Sequence, residues 1–147
     1  MTNDNSTQKL TAENCFVCGE NNTGGLQITF HIENDACHGE FTPTERYVGF
    51  GNVVHGGIIY AVLDDAMANW FFLRGAFGYT AKAEIRYRSH LLIGDTGLIS
   101  CHLINKKGKL LLLSSQIKSK REDKLIAECD GSFIISSPGP LNRLKHI

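Results

Sequence analysis

The sequence has no excess of charge of either sign. It contains 147 residues, and its fifteen basic side chains balance fifteen acidic ones, so the formal net charge is zero. A chain with this balance creates no overall field that would attract nucleic acid or an anionic membrane. Any anionic ligand must therefore bind at a local group of cations.

The chain also lacks long apolar runs, repeats and low-complexity segments. Hydrophobic residues make up 42% of it, but charges interrupt them before they reach the length of a membrane span. The N-terminal segment MTNDNSTQKLTAEN has no apolar core like that of a signal peptide. We expect a single cytoplasmic domain over residues 14–137, with a flexible arm at 1–13 and a tail at 138–147.

The five cysteines are an odd number, unlike the paired framework of a small secreted domain, so we expect reduced thiols. Cys15 and Cys18 have the spacing of half a zinc site or of a redox pair, and Cys37-His38 could complete four ligands. A strand would direct Cys37 and His38 to opposite faces. The sequence therefore favours buried thiols, and we predict no metal and no cofactor.

Apolar periodicity predicts two strands, one long helix and four further strands. The helix extends roughly from Gly57 to Leu73 and is closed by Arg74-Gly75. In the strand after it, alternation predicts Ala81, Ala83, Ile85 and Tyr87 on one face and Thr80 on the other. The predicted strands cover residues 26–33, 36–41, 80–89, 97–106, 109–120 and 124–136.

The predicted helix is apolar on nearly every face, so it must be enclosed. A single antiparallel sheet offers one apolar face on which to bury it. The expected architecture is α+β, a curved antiparallel sheet around one central helix.

His55-Gly56-Gly57 stands at the start of this helix. A helix N-terminus carries unpaired N–H groups and a partial positive charge, and glycines let a ligand approach the backbone. The three residues could form an oxyanion-binding corner. The alternative is that the two glycines only permit close packing.

Asp64 and Asp65 lie in the middle of the same helix, where an ionised carboxylate is costly unless it is paired or functional. Adjacent helix residues diverge by about 100°, so the two cannot face one pocket. Asp64 is too far from His55 to share a site within one helix, and it would serve a site formed with another chain. A simple ion pair or interface contact is the alternative.

The segment VVHGGIIYAVLDDAMA resembles the His-Gly-Gly motif of hotdog-fold acyl-CoA thioesterases, in particular the PaaI-like branch, in which an Asp follows the His by nine positions. The Cys-rich approach to the first strand, the segment before the helix and the strand TAKAEIRYRS resemble that branch as well. The resemblance covers residues 15 to 136.

This resemblance implies a homodimer, or a dimer of dimers, with acyl-CoA sites at the subunit interface. The catalytic residues would be His55, the Gly56 N–H that polarises the thioester carbonyl, Asp64 of the other chain as nucleophile or base, and Thr80 to orient water. Some relatives carry an Asn six positions before the His; this chain has Gly49 there, and Asn52 is the nearest amide.

Substrate binding would involve Gly57, Asn52, Arg86 and Arg88. The two arginines share the polar strand face with Lys82, and cations of this kind suit the phosphates of coenzyme A. A solvated face is the alternative for them. Two rival functions remain open, a non-catalytic acyl-CoA-binding or regulatory domain and a hotdog dehydratase.

Overall fold

The computed structural model describes residues 11–137 and Leu141. The predicted arm and tail lie largely outside these residues. The predicted order of two strands, one helix and four strands is confirmed. The elements are β1 (His31–Glu33), β2 (Ala36–Phe41), a 3-10 helix (Glu45–Tyr47), α1 (Gly56–Phe72), β3 (Phe77–Tyr87), β4 (Gly97–Lys107), β5 (Leu110–Ser119) and β6 (Lys124–Ser137).

The six strands form one antiparallel sheet with the order β1-β2-β4-β5-β6-β3. Asn34 and Asp35 join β1 to β2 with positive φ angles of 51° and 64°, as a tight hairpin turn requires. The chain then leaves β2, passes through α1 and enters β3 at the far edge of the sheet. The predicted α+β architecture is confirmed.

Helix α1 packs against every strand from β2 to β6. Its apolar side chains are buried on several faces of the helix, as the absence of a polar stripe predicts. Phe71 packs edge-on against Phe133 of β6, with ring centroids 5.5 Å apart. The buried helix residues are Ile59, Val62, Leu63, Ala66, Met67, Asn69, Trp70 and Phe71. In the described part of the chain, no helix is long and apolar enough to cross a bilayer.

The helix ends as predicted, at Arg74-Gly75. Gly75 has φ 85°, and the Ala76 N–H donates back to the Phe71 carbonyl at 3.1 Å. The Arg74 guanidinium donates to the Trp70 carbonyl at 2.6 Å and lies 3.8 Å from the Trp70 ring. A cation at a helix C-terminus is favourable because the carbonyls there carry partial negative charge.

The first predicted strand is shorter than expected, because only His31–Glu33 of residues 26–33 pairs with β2. Gln27 has φ 53°, which interrupts an extended conformation. Leu26 and Ile28 on either side of it instead donate to the carbonyls of Phe16 and Val17, both at 2.9 Å. This segment therefore holds the preceding loop against the sheet.

The prediction for the two faces of β3 is wrong at its start. A bulge interrupts the pairing with β6 between Thr80 and Lys82, so Ala81 is an extra residue and is exposed. Thr80 consequently lies on the same face as Ala83 and Ile85, towards α1. Bulges redirect side chains in this way because one added residue reverses the alternation.

All five cysteines lie within the described residues, and none of them forms a disulfide there. Cys37, Cys101 and Cys129 belong to the hydrophobic core, and Cys37 lies opposite Cys101 across β2 and β4. Cys15 and Cys18 are only partly buried and pack against the core from the loop before β1.

Candidate functional site

His55 caps the N-terminus of α1. Its backbone is extended, with φ −56° and ψ 132°, and its Nδ1 accepts a hydrogen bond from the Gly57 N–H at 2.9 Å. A neutral His55 ring therefore carries its proton on Nε2. A Cβ on Gly57 would lie 3.0 Å from this ring, so the glycine leaves room for the cap.

The cap determines which glycine N–H is available to a ligand. The Gly57 N–H is used by His55, and the next two amides, of Ile58 and Ile59, donate to the His55 carbonyl. The Gly56 N–H has no partner among residues 11–137 and Leu141. Gly56 thus presents the free donor at the positive end of the helix.

A cavity of about 380 Å³ opens beside this donor. The Tyr87 hydroxyl lies on its wall and donates to the Gly56 carbonyl at 2.8 Å, which fixes the first turn of α1 against the end of β3. Most of the lining is apolar, which suits an acyl or pantetheine chain. The lining residues are Gly49, Phe50, Val53, Val54, His55, Gly56, Gly57, Ile59, Tyr87, Ser89, His90, Leu91 and Ile126.

Asp64 lies in the middle of α1 and faces β3. Its Oδ1 accepts a hydrogen bond from the Thr80 hydroxyl at 2.7 Å. Its Oδ2 has no partner in the described part of the chain, and no buried side-chain oxygen or nitrogen there lacks a partner, so Oδ2 is accessible. The site contains a half-buried carboxylate with one oriented and one free oxygen.

The Asp64 carboxylate contributes to raised pKa values of two neighbouring groups. Burial, followed by the nearby Asp64 carboxylate, raises the pKa of the Tyr60 hydroxyl. Burial and then Asp64 also raise the pKa of the Cys129 thiol to about 11. Both groups therefore stay neutral near pH 7.

Asp65 points away from Asp64, towards the loop before β1, as the geometry of adjacent helix residues predicts. The Asn69 side chain donates to its Oδ2 at 2.9 Å, and the Cys15 sulfur lies 3.4 Å from its Oδ1. Burial is the main cause that raises the pKa of Asp65. The two neighbouring carboxylates thus have separate environments.

The free donor and the free carboxylate oxygen are not adjacent in one chain. Gly56 and Asp64 are eight positions apart on the same helix, which corresponds to about 12 Å along its axis. A single substrate carbonyl cannot contact both groups at that separation.

Three other predicted residues lie away from the cavity lining. Arg88 forms an ion pair with Glu128 at 2.6 Å, and the largely exposed Arg86 lies 3.6 Å from Glu84. Asn52 is exposed, and its backbone carbonyl accepts from the Ile93 N–H at 2.8 Å. The structure therefore does not bring these three side chains together with Gly56.

Sequence analysis missed Tyr87 as a residue of the site. Its place at the end of an alternating strand suggested only a core position, whereas its hydroxyl reaches the start of α1. A tyrosine at the end of a half-buried strand, close to a helix start, is a weak signal that could have indicated this contact.

No protein-family model matches the sequence, and no curated protein matches it significantly. The fold is nevertheless found among solved structures. The smu.793 protein of Streptococcus mutans, solved bound to acetyl-CoA, is similar with a TM-score of 0.70 and 14% identity over 76% of this chain and 90% of that chain.

A second neighbour is a hypothetical thioesterase from Streptococcus pneumoniae, solved with coenzyme A. It has a TM-score of 0.70 and 12% identity over 76% of this chain and 87% of that one. The same protein has been solved as an Asp-to-Ala and as a Thr-to-Ala variant, at positions sixteen residues apart in its sequence.

A third neighbour is the PaaI protein of the phenylacetic acid degradation operon of Escherichia coli. It has a TM-score of 0.69 and 17% identity over 74% of this chain and 79% of that chain. The expected resemblance is confirmed for the architecture: this chain has the hotdog fold, and its structural neighbours are proteins of the thioesterase superfamily, PaaI of E. coli among them.

Proposed function

We propose that this protein is an acyl-CoA thioesterase that hydrolyses an acyl thioester to a free acid and a thiol. The observation that carries the proposal is the Asp64 carboxylate, oriented by Thr80 at 2.7 Å and free at its second oxygen, in a fold that also leaves the Gly56 N–H unpaired. These are the two groups that thioester hydrolysis needs.

Each group has a defined part in the reaction. The Gly56 N–H donates to the thioester oxygen and stabilises the negative charge that develops on it, which is worth about 3–4 kcal/mol in comparable sites. Asp64 either accepts a proton from the attacking water or attacks the carbonyl carbon itself. When Asp64 acts as the base, the C–S bond breaks and the departing thiolate takes the proton that Asp64 accepted from water. When Asp64 attacks directly, the thiolate leaves a mixed anhydride on Asp64, and water then hydrolyses this anhydride to the free acid, restores the carboxylate and supplies the proton of the thiol.

The active site is shared between two copies of the chain, because Gly56 and Asp64 of one helix are too far apart to act on one carbonyl. Strand β3, which carries Thr80, is an edge of the sheet without an outer neighbour among the described residues. A second copy can approach there and bring its helix N-terminus to Asp64. The protein acts as a homodimer or a dimer of dimers.

The comparisons support this proposal at the level of fold and ligand. Two structural neighbours are described as bound to acetyl-CoA or with coenzyme A. In the S. pneumoniae protein, the Asp and the Thr chosen for substitution are separated by the same sixteen residues as Asp64 and Thr80. This equal spacing favours a common function for the pair.

The proposed binding site for the coenzyme A phosphates is the polar face at the end of β3, which carries Arg86 and Arg88. Binding there requires the arginines to leave Glu84 and Glu128, which is inexpensive for exposed ion pairs. Gly57 leaves room for the ligand because it has no side chain. Asn52, the amide nearest in sequence, would contact the substrate from outside the cavity lining. The acyl group is unassigned.

A non-catalytic acyl-CoA-binding domain would retain the cavity but would not need Asp64, and a dehydratase would release an unsaturated thioester instead of a thiol. A screen of short, medium, long and aromatic acyl-CoAs, read by released thiol, separates the three functions. Thiol release from at least one class supports hydrolysis.

We predict that Asp64→Asn lowers kcat by about 10²–10⁴-fold, because it removes the base or nucleophile but keeps the size of the side chain. Asp65→Asn is the matched control, since it removes one charge from the neighbouring position. It should affect stability more than kcat. Steady-state kinetics and thermal unfolding of both variants provide the measurement. A larger loss of kcat in Asp65→Asn would refute the assignment to Asp64.

We predict that Gly56→Pro lowers kcat by about 10²–10³-fold, because proline has no N–H to stabilise the oxyanion. Proline suits the first position of a helix, and the extended backbone of His55 is compatible with a following proline. Gly56→Ala is the control, since it keeps the N–H and its Cβ would lie 3.5 Å from Tyr87. Equal activity of the two variants, both folded, would contradict the role of Gly56.

We predict that Thr80→Val lowers kcat by about 10–100-fold, because the hydrogen bond to a charged carboxylate is worth about 1.5–3 kcal/mol. Thr80→Ser retains the hydroxyl and should keep most of the activity. Thr and Val have similar shapes, so the fold should persist in both variants. If Thr80→Ser were as impaired as Thr80→Val, the hydroxyl would not be the relevant group.

A further inference from the structure

Three ligating side chains meet on the side of α1 opposite Thr80. Cys15 and Cys18 come from the cysteine loop, residues Cys15–Gly19, and Asp65 comes from the middle of the helix, fifty positions further along the chain. The two sulfur atoms and a carboxylate oxygen all lie within 4.8 Å of one another. Among the described residues, this is the group suited to hold a metal ion.

The backbone of the cysteine loop is folded around the sulfur of Cys15. The N–H groups of Val17 and Cys18 both donate to this sulfur, at 3.4 and 3.5 Å. The Cys15 thiol in turn donates to Asp65 Oδ1, so the loop and the helix already hold these two side chains together. The turn needs Gly19, because a Cβ there would lie 2.4 Å from the Cys15 nitrogen.

The distance between one sulfur and the carboxylate fits a tetrahedral zinc site, and the three ligand atoms all lie within 4.8 Å of one another. With Zn–S near 2.3 Å and Zn–O near 2.0 Å, a sulfur and an oxygen ligand are about 3.5 Å apart. The Cys15 sulfur and Asp65 Oδ1 are 3.4 Å apart. Two thiolates select zinc over magnesium or calcium, which prefer oxygen ligands.

The surroundings support the same ion. The Asn69 amide donates to Asp65 Oδ2 at 2.9 Å and lies 3.6 Å from the Cys18 sulfur, so it orients the carboxylate. A cavity of about 130 Å³ touches Cys15, Cys18 and Asp65, which leaves room for a water as fourth ligand. Two thiolates and a carboxylate also supply the negative charge that a divalent cation requires.

We propose that Cys15, Cys18 and Asp65 bind one Zn²⁺ ion, with a water as fourth ligand, which joins the cysteine loop to the middle of α1. The ion would lie on the face of α1 opposite Thr80, outside the cavity beside Gly56. The proposal replaces the expectation from sequence that the protein binds no metal. That expectation considered only Cys37 and His38 as further ligands beside Cys15 and Cys18. The proposal does not depend on the thioesterase activity.

The test is a titration of the chelator-treated full-length protein with Co²⁺, a spectroscopic substitute for zinc. We expect intense visible bands of tetrahedral cobalt and a sulfur-to-metal band in the near ultraviolet, saturating at about one ion per chain. Cys15→Ser and Cys18→Ser should abolish both bands, and Asp65→Asn should weaken binding by at least about 10–100-fold, which is the usual cost of losing a group that only orients a ligand. Cys37→Ser is the control and should leave them unchanged.

A second measurement uses the unaltered protein, so it does not depend on the folding of a variant. Zn²⁺ should protect Cys15 and Cys18 from alkylation, as resolved by mass spectrometry, and a chelator should restore their reactivity. Unchanged alkylation with zinc, a Cys15–Cys18 disulfide in the purified protein, or an equal loss of the cobalt bands in Cys37→Ser would overturn the proposal.

Discussion

Helix α1 lies under the sheet although two adjacent carboxylates occupy its middle, and much of the structure is organised to accommodate them. A buried carboxylate is costly unless a partner satisfies it. Asp64 receives the Thr80 hydroxyl from β3, and Asp65 receives the Asn69 amide from its own helix. These two hydrogen bonds lie on different faces of α1. The neighbouring carboxylates can therefore have separate roles.

The order of the elements could be predicted from sequence because it depends on apolar periodicity, which is a local property. Strand β2 occupies its predicted residues, and α1 begins one residue before its predicted start. The segment 26–30 could not be predicted correctly, since its pairing with residues 16 and 17 competes with strand formation. Such a competition depends on tertiary contacts that a single sequence does not reveal.

The candidate site was predictable only in part, for the same physical reason. The positions of His55, Gly56 and Asp64 follow from the helix alone. The contact of Thr80 with Asp64 depends on a bulge at Ala81, and the approach of Cys15 to Asp65 joins segments fifty positions apart. Neither contact has a periodic signal in the sequence. The hydrogen bond of the His55 cap likewise could not be predicted from sequence. Because this bond uses the Gly57 N–H, the free N–H belongs to Gly56.

The central claim is that Gly56 of one copy and Asp64 of another form one active site. The most direct test is to co-express Asp64→Asn and Gly56→Pro chains with different tags and to purify the mixed dimer through both tags. Each variant alone should be nearly inactive. The mixed dimer has one intact site of two, so the account predicts about half of the wild-type activity per dimer. A mixed dimer no more active than the two parent variants would contradict it.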